Sequence, residues 1–447
     1  MKNSPRQIAV EILGRIEESG AYAESLLDRA LSGNALANPH DRGLLTELVY
    51  GTLRMRGSLD WIIGRLYRGD AAALETSVRN ILRTGLYQLW FTDRIPPFAA
   101  VNEAVEMTRE ISPAASGLVN AVLRNALRQK ETLVWPEMEK DPTAAISVRY
   151  SHPLWLVKRL LAQFALEETI AICKANNTIP PLAVRVNTLK ASRANALISL
   201  EEKDGITATL CPFSVDGLLI ASPAAALRAT AAYKEGLIRV QDEASQLIAR
   251  LVAPEPGERI LDLCAGAGGK TLHLAAIMEN QGTITALDLH KERLAMLREE
   301  ADRLGVTIVE TRTGDAAAPP ATFHETFDRV LLDAPCTGLG TLRRNPEIRW
   351  RLTPTDIGKC MQAQKLLLKS AAQCVKPGGR LIYSVCTVTP EENEIVIGYL
   401  LRIRPDFKCI SPDNVSPALI GAGGFLRTSP QLHGADGFFA AVLVRSC

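Results

Sequence analysis

At 447 residues the chain has room for about three domains of roughly 150 residues each. Its 47% hydrophobic and 22% charged composition excludes a disordered or collagen-like chain and supplies apolar material for more than one core. With 51 basic and 49 acidic residues the net charge is only +2, so affinity for nucleic acid has to come from local patches rather than an overall field.

No run approaches the roughly 20 apolar residues of a membrane span, and the opening Met1-Lys2-Asn3-Ser4-Pro5-Arg6 leads into an amphipathic pattern with no signal core. A cytoplasmic protein is expected, with no membrane partner. The nine cysteines include no C-x-x-C pair and none spaced with histidine as a zinc module requires. Free thiols are expected, most of them small buried hydrophobes, and no metal site.

Residues 1–145 read as helix throughout. Leu44, Leu45, Leu48, Val49 and Leu53 recur at three and four, and the period continues to Leu59, Trp61, Ile62 and Ile63. Similar patterns fill 77–91, 99–111 and 117–127, with Pro96-Pro97 and Ser112-Pro113 as breaks. Arg54, Arg56, Arg65, Arg68, Arg79 and Arg83, then Arg124, Arg128 and Lys130, suit either a solvated face or phosphate contact. Residues 146–245 mix helix (153–176 and 192–203) with strand (182–187, 217–220 and 236–241), a small α+β domain. Residues 246–447 alternate strand and helix: strands at 259–263, 282–287, 307–310, 327–332, 380–385 and 438–444, helices at 270–277 and 291–304. Such alternation predicts a mostly parallel sheet covered on both faces, with ligands beyond the carboxyl ends of its strands.

Asp262-Leu263-Cys264-Ala265-Gly266-Ala267-Gly268-Gly269-Lys270-Thr271 joins the first strand of that region to its helix. A phosphate-binding P-loop would need glycine where Cys264 stands, and a dinucleotide fingerprint would need glycine or alanine where Thr271 stands. An adenosyl cofactor without phosphates remains. Small residues let the backbone approach it, and the helix amino terminus would face its carboxylate. Asp288 ends the next strand, where an acid can accept both ribose hydroxyls. Asp315, after the third strand, could accept from an adenine amino group.

Asp333-Ala334-Pro335-Cys336-Thr337-Gly338 and Ser384-Val385-Cys386-Thr387 close two further strands. If those strands are neighbours, both thiols and Asp333 reach the crevice. A thiol beside a methyl donor suits methylation at carbon 5 of cytosine, a carbon too electron-poor to attack a methyl sulfonium directly. Thiolate addition at carbon 6, with a proton supplied near N3, makes it nucleophilic. The reaction therefore wants a covalent nucleophile, an acid at N3 and the exocyclic amine, and a group that helps expel the enzyme. Cys386, Asp333 and Cys336 can fill these roles.

The glycine loop, Asp288, Asp315 and the two cysteine motifs together resemble the RNA cytosine-C5 methyltransferase family, and Val240-Gln241-Asp242-Glu243-Ala244-Ser245 resembles the segment before its catalytic domain. The helical region is similar to the NusB-type RNA-binding domain of the bacterial Fmu/Sun (RsmB) subfamily, which methylates 16S ribosomal RNA. The resemblance implies a NusB-like domain at 1–145, an α+β linker or RNA-binding domain at 146–245 and a Rossmann-like catalytic domain at 246–447. It implies S-adenosyl-L-methionine held by Cys264, Ala265, Gly266, Ala267, Gly268, Gly269, Lys270, Asp288, Asp315 and Asp333, with Cys386 attacking and Cys336 assisting release. It further implies 16S ribosomal RNA, naked or in a partly assembled small subunit, as partner to a monomeric enzyme. Ala265-Gly266-Ala267 stands where the family usually shows Ala-Ala-Pro, so a looser loop is expected.

Arg343-Arg344-Asn345-Pro346-Glu347-Ile348-Arg349-Trp350-Arg351 follows the Cys336 loop and is expected to contact RNA, its arginines on phosphates and Trp350 on a base. Transfer RNA is the alternative substrate. A small-molecule methyltransferase would leave the two thiols without purpose, and a non-catalytic antitermination-type RNA-binding factor would explain the helical region alone.

Overall fold

The computed structural model describes residues 4–32, 36, 38–221 and 224–447. It divides into two compact units, Met1–Thr178 with Leu342–Thr353, and Ile179–Thr341 with Pro354–Cys447. No described helix is long and apolar enough to cross a membrane.

The first unit is helical. Pro5–Ser19 begins with Ser4 accepting from Gln7 N at 3.2 Å and ends at Gly20 with φ 65°, a cap at each end. Ala23–Ser32, Pro39–Leu66, Thr76–Phe91, Pro97–Ile111 and Ser116–Gln129 follow, and their three-and-four stripes meet in a core that includes Ile12, Leu45, Leu48, Ile62, Ile81, Leu86 and Leu123. Pro142–Arg149, Leu154–Gln163, Leu166–Ala175 and the short Ile348–Arg351 are further helices of this unit. The single helix expected at 153–176 is in fact two. Phe164 and Ala165 are extended, with ψ of 156° and 162°, and neither a proline nor a glycine marks the break.

Several arginines read as possible phosphate contacts are instead structural. Arg83 is 3% exposed and grips Asp60 with two nitrogens, at 2.6 and 2.8 Å. Arg56, Arg79 and Arg83 all converge on the Glu17 carboxylate at 2.8–3.1 Å, and Arg54 is buried. Burial opposes the charge on Glu17, but Arg83, Arg56 and Arg79 more than offset it and hold its pKa below the ordinary value. Arg65, Arg68, Arg124 and Arg128 remain exposed.

Two side chains of the segment expected to contact RNA, Arg349 and Trp350, are structural instead. Arg349 is fully buried and donates to Ser151 O, Asn176 O, Asn177 Oδ1 and Leu342 O at 2.8–3.2 Å. Trp350 Nε1 donates to Leu53 O at 2.7 Å, with Arg56 over the indole ring. Arg351 donates to Gly20 O at 2.7 Å and covers the Tyr22 ring. Arg349 and Trp350 thus anchor 342–353 within the helical unit and are committed to contacts there, while Arg351 stays exposed.

The second unit holds two sheets. In the smaller, β1 (Leu182–Val186), β2 (Ala208–Leu210), β3 (Gly217–Ile220) and β4 (Ile238–Val240) run antiparallel in the order β2-β3-β1-β4. Helix Arg193–Glu202 packs Ala196 and Leu200 against Val184, Val186 and Leu218.

The larger sheet contains β5 (Arg259–Asp262), β6 (Thr283–Asp288), β7 (Val309–Thr313), β8 (Phe327–Asp333), β9 (Val375–Val385), β10 (Phe407–Ile410), β11 (Leu426–Arg427) and β12 (Phe439–Arg445). Its order is β10-β12-β9-β8-β5-β6-β7, with β11 beside β12. Strands β5 to β9 pair in parallel, and β12 is antiparallel to both its neighbours on the main path. Side chains alternate between two cores, one on each face. Ile260, Leu331 and Ile382 join one, and Leu261, Val330, Leu332 and Leu381 join the other. Helices Thr271–Ile277, Lys291–Leu304, Pro354–Cys374 and Glu394–Ile403 accompany the sheet. Since β5 lies between β6 and β8, the chain reverses direction across the sheet at β5, and the crevice beyond the carboxyl ends of β5 and β8 is the ligand position of such folds.

Candidate active site

The loop after β5 is fixed by hydrogen bonds at both ends. Leu263 N donates to Leu331 O and Ala265 N to Leu287 O, each at 3.0 Å, so the loop rises between β8 and β6. Gly268 takes φ 80°, and a Cβ there would meet Leu297 Cγ at 2.5 Å, which is why this position needs glycine. Asp288 is buried at the end of β6, where Oδ2 accepts from Gly266 N and Oδ1 from His290 N, each at 2.8 Å.

An adenosyl cofactor fits this arrangement. Nothing lies within 4 Å of a Cβ built on Gly266, leaving open space directly above the backbone. Leu289, one residue past Asp288, exposes 63% of its surface and offers an apolar face at the rim. Asp315 is exposed, its Oδ1 accepting from Ala317 N at 2.8 Å. Burial first, and then Asp262, Asp333, Asp288 and Asp315 together, push the Cys264 thiol above its ordinary range. Cys264 is therefore a neutral lining group.

The two arginines of the small sheet hold the same loop. Arg185 on β1 donates to Gly269 O at 2.6 Å and Arg239 on β4 to Ala267 O at 2.9 Å, and the two residues are register partners. Sequence reading assigned neither a function, because their target lies some 30 to 80 residues further along the chain.

Strands β8 and β9 are parallel neighbours with Asp333 opposite Ser384, which brings the turns that follow them side by side. Cys336 Sγ and Cys386 Sγ lie 3.4 Å apart, close enough for a thiol hydrogen bond. That bond first, and burial second, hold Cys336 well above the ordinary thiol range. Asp333 Oδ1 accepts from Ser384 Oγ at 2.7 Å and Oδ2 from Lys270 Nζ at 2.5 Å. Burial lowers the Lys270 pKa, but the adjacent Asp333 leads the groups that outweigh it, and the pKa is raised above its ordinary value. Lys270, read from sequence as part of the cofactor loop, thus also touches the group read as the acid. The Phe438 ring lies 5.4 Å from its ammonium.

A further layer was missed from sequence. Glu392, fully buried, accepts from Thr337 N at 2.9 Å, and its carboxylate also receives Thr387 Oγ1 at 3.0 Å. Each threonine directly follows one of the two cysteines, a repetition that sequence reading could have used as the signal. The arrangement therefore combines a glycine loop with open space above Gly266, two thiols in contact, and an acid paired with a lysine, all at the carboxyl ends of β5, β8 and β9. Such a site can support nucleophilic catalysis with proton transfer.

The chain is similar to known methyltransferases over its whole length. The family model described as 16S rRNA methyltransferase RsmB/F matches residues 249–444, the NusB family residues 3–128 and the RsmF/B-like ferredoxin-like domain residues 152–226. The probable ribosomal RNA small subunit methyltransferase B of Bacillus subtilis is 36% identical, with 98% of each chain covered. That of Synechocystis is 37% identical over 99% of this chain and all of the relative. Among solved structures, PH0851 superposes with a TM-score of 0.85 at 32% identity over 98% of both chains. NSun6 from Pyrococcus horikoshii, solved with SFG, superposes at 0.60 with 25% identity over 66% of this chain and 98% of that one. The fold is accordingly a NusB-like helical domain, a ferredoxin-like domain and a methyltransferase domain with a mostly parallel sheet, and the chain belongs to the 16S rRNA methyltransferase RsmB/F family.

Proposed function

We propose that this protein methylates carbon 5 of a cytosine in 16S ribosomal RNA, naked or in a partly assembled small subunit, in the cytoplasm. The observation that carries the reading is the pair of thiols 3.4 Å apart beside Asp333 at the end of the cofactor loop's neighbouring strand. S-adenosyl-L-methionine, held by Cys264 to Lys270, Asp288 and Asp315, supplies an electrophilic methyl group when bound. Cys386 adds to carbon 6 of the base. Asp333 contacts N3 and the exocyclic amine, with Lys270 on its Oδ2 as the adjacent proton donor. Cys336, whose pKa is raised by its contact with Cys386 and by burial, is the partner for the later elimination: as a thiolate it takes the proton from carbon 5 while the bond from Cys386 to carbon 6 breaks and the Cys386 sulfur leaves as thiolate.

Residues 1–145 supply RNA affinity through outward arginines such as Arg65, Arg124 and Arg128, residues 146–245 link them to the catalytic part, and residues 246–447 carry the chemistry. Bisulfite sequencing of RNA from a strain lacking the gene tests the substrate. One cytosine of 16S ribosomal RNA resists conversion in the parent and converts in the deletion strain. A lost signal in transfer RNA instead, or none in any RNA, refutes the assignment.

A further inference from the structure

Glu392 is 0% exposed, yet it carries a carboxylate. Burying such a group costs several kcal/mol unless hydrogen bonds compensate, and here the donors come from three separate pieces of chain. Its Oε1 accepts from Thr337 N at 2.9 Å and Gln364 Nε2 at 3.0 Å. Its Oε2 lies 2.5 Å from Thr337 Oγ1, 3.0 Å from Thr387 Oγ1 and 2.8 Å from Thr389 Oγ1. The Thr337 and Thr387 hydroxyls also lie 2.9 Å from each other. With one proton each, they can make two of these three contacts at a time, and every combination links the two turns.

Gln364 extends the same stitch, because its Nε2 also reaches Pro335 O at 3.0 Å, immediately before Cys336. The position of Glu392 is itself fixed by Tyr383 of β9, whose hydroxyl donates to Glu392 O at 2.7 Å. Gly340 N donates to Cys386 O at 3.0 Å and closes the arrangement from the other side. An apolar side chain could fill the volume of Glu392, but it would leave Thr337 N without this acceptor and the two turns without a common partner.

We propose that Glu392 is a positioning residue for the two-cysteine reaction, its carboxylate stitching the Cys336 and Cys386 turns together and setting the separation of the two thiols. The proposal rests on reading Cys386 as the nucleophile and Cys336 as the release residue. Glu392 itself touches neither sulfur through a hydrogen bond. It acts through Thr337 and Thr387, each one residue beyond a cysteine. Displacing a reacting group by about 1 Å can cost on the order of 100-fold in rate.

The test uses full-length protein carrying Glu392→Gln, and separately Thr387→Val, which removes one donor to the side chain while leaving Glu392 itself in place. Diamide oxidises two adjacent thiols to a disulfide, the two hydrogens passing to its N=N bond to give the hydrazine. The rate at which the Cys336–Cys386 disulfide closes, followed by mass spectrometry of the linked peptides, reports thiol separation without any RNA. Closure is expected to slow roughly ten-fold or more in Glu392→Gln and by a smaller factor in Thr387→Val. Methylation kcat should fall roughly ten- to hundred-fold with KM for RNA and cofactor affinity unchanged. If Glu392→Gln does not fold, Thr387→Val decides by the same readings. Unchanged closure in a folded variant overturns the proposal, whether or not kcat falls. Slower closure in a protein whose wild type methylates no RNA would leave the stitch standing and refute the methyltransfer reading instead.

Discussion

Arg239→Met tests whether the small sheet braces the cofactor loop. The segment Cys264 to Lys270 has three glycines and no proline, so ordering it costs more conformational entropy than ordering a proline-containing loop, by about 0.4–1 kcal/mol per such exchange. Two charged donors from β1 and β4 meet this cost, Arg185 at Gly269 O and Arg239 at Ala267 O. A hydrogen bond from a charged group contributes about 1.5–3 kcal/mol. Methionine keeps much of the apolar stem of Arg239. Glu300, 3.5 Å from Arg239, keeps both of its contacts with Arg303 at 2.8 and 2.9 Å, so no carboxylate is stranded. Most of the loss therefore falls on the loop, and it converts to roughly ten- to hundred-fold weaker cofactor binding. Arg239 is the better target because Arg185 is 1% exposed and also holds Gln241, so its removal would disturb the sheet itself. Calorimetric titration with S-adenosyl-L-methionine measures the effect, and circular dichroism checks the fold. Wild-type affinity in a folded Arg239→Met protein would refute the bracing argument.

Asp288→Ala removes the proposed ribose acceptor and also frees Gly266 N, so the same titration should show at least a ten- to hundred-fold loss of affinity, about 1.5–3 kcal/mol; an unchanged dissociation constant contradicts the proposed placement of the ribose. Asp262 predicts a pH dependence of stability. Burial lifts its pKa to about 7, against the Thr271 hydrogen bond that lowers it, whereas in the unfolded chain it titrates near 3.9. The folded protein therefore binds the proton more tightly, stability declines as pH rises from about 4 to 7, and the loss is complete above 7, at a rate of roughly 1.4 kcal/mol per unit at most. Urea denaturation at pH 5 and pH 8 should show Asp262→Asn gaining on the wild type at the higher pH. An equal difference at both would contradict the shift.

Period alone revealed most of the secondary structure. The three-and-four stripes of 41–63 and 77–91 and the short apolar runs that became β5, β6 and β8 need only local information. Asp288, Cys336 and Cys386 could be placed at strand ends for the same reason. The 3.4 Å contact between the thiols could not be read, because it depends on β8 and β9 being neighbours in the sheet. Long-range partners account for the errors. Trp350 and Arg349 form an aromatic and basic cluster in sequence, but their acceptors are Leu53 O and Asn176 O, far away in the chain. Arg56, Arg79 and Arg83 looked like a cationic face until Glu17 and Asp60 were seen among them. Glu392 was overlooked because an acid in Pro390-Glu391-Glu392 reads as a solvated turn, and its five donors come from Thr337, Gln364, Thr387 and Thr389.

The central claim is that Cys386 attacks the base and Cys336 releases it. Cys386→Ala and Cys336→Ala should therefore differ in kind when incubated with S-adenosyl-L-methionine and substrate RNA and run on a denaturing gel. Without the Cys386 thiol no bond to carbon 6 can form, so that variant is inactive and migrates free of RNA. Without Cys336 the attack and methyl transfer proceed but elimination stalls, and protein and RNA migrate as one covalent species. A covalent band with Cys386→Ala and none with Cys336→Ala would reverse the two roles, and no band with either would remove the covalent mechanism altogether.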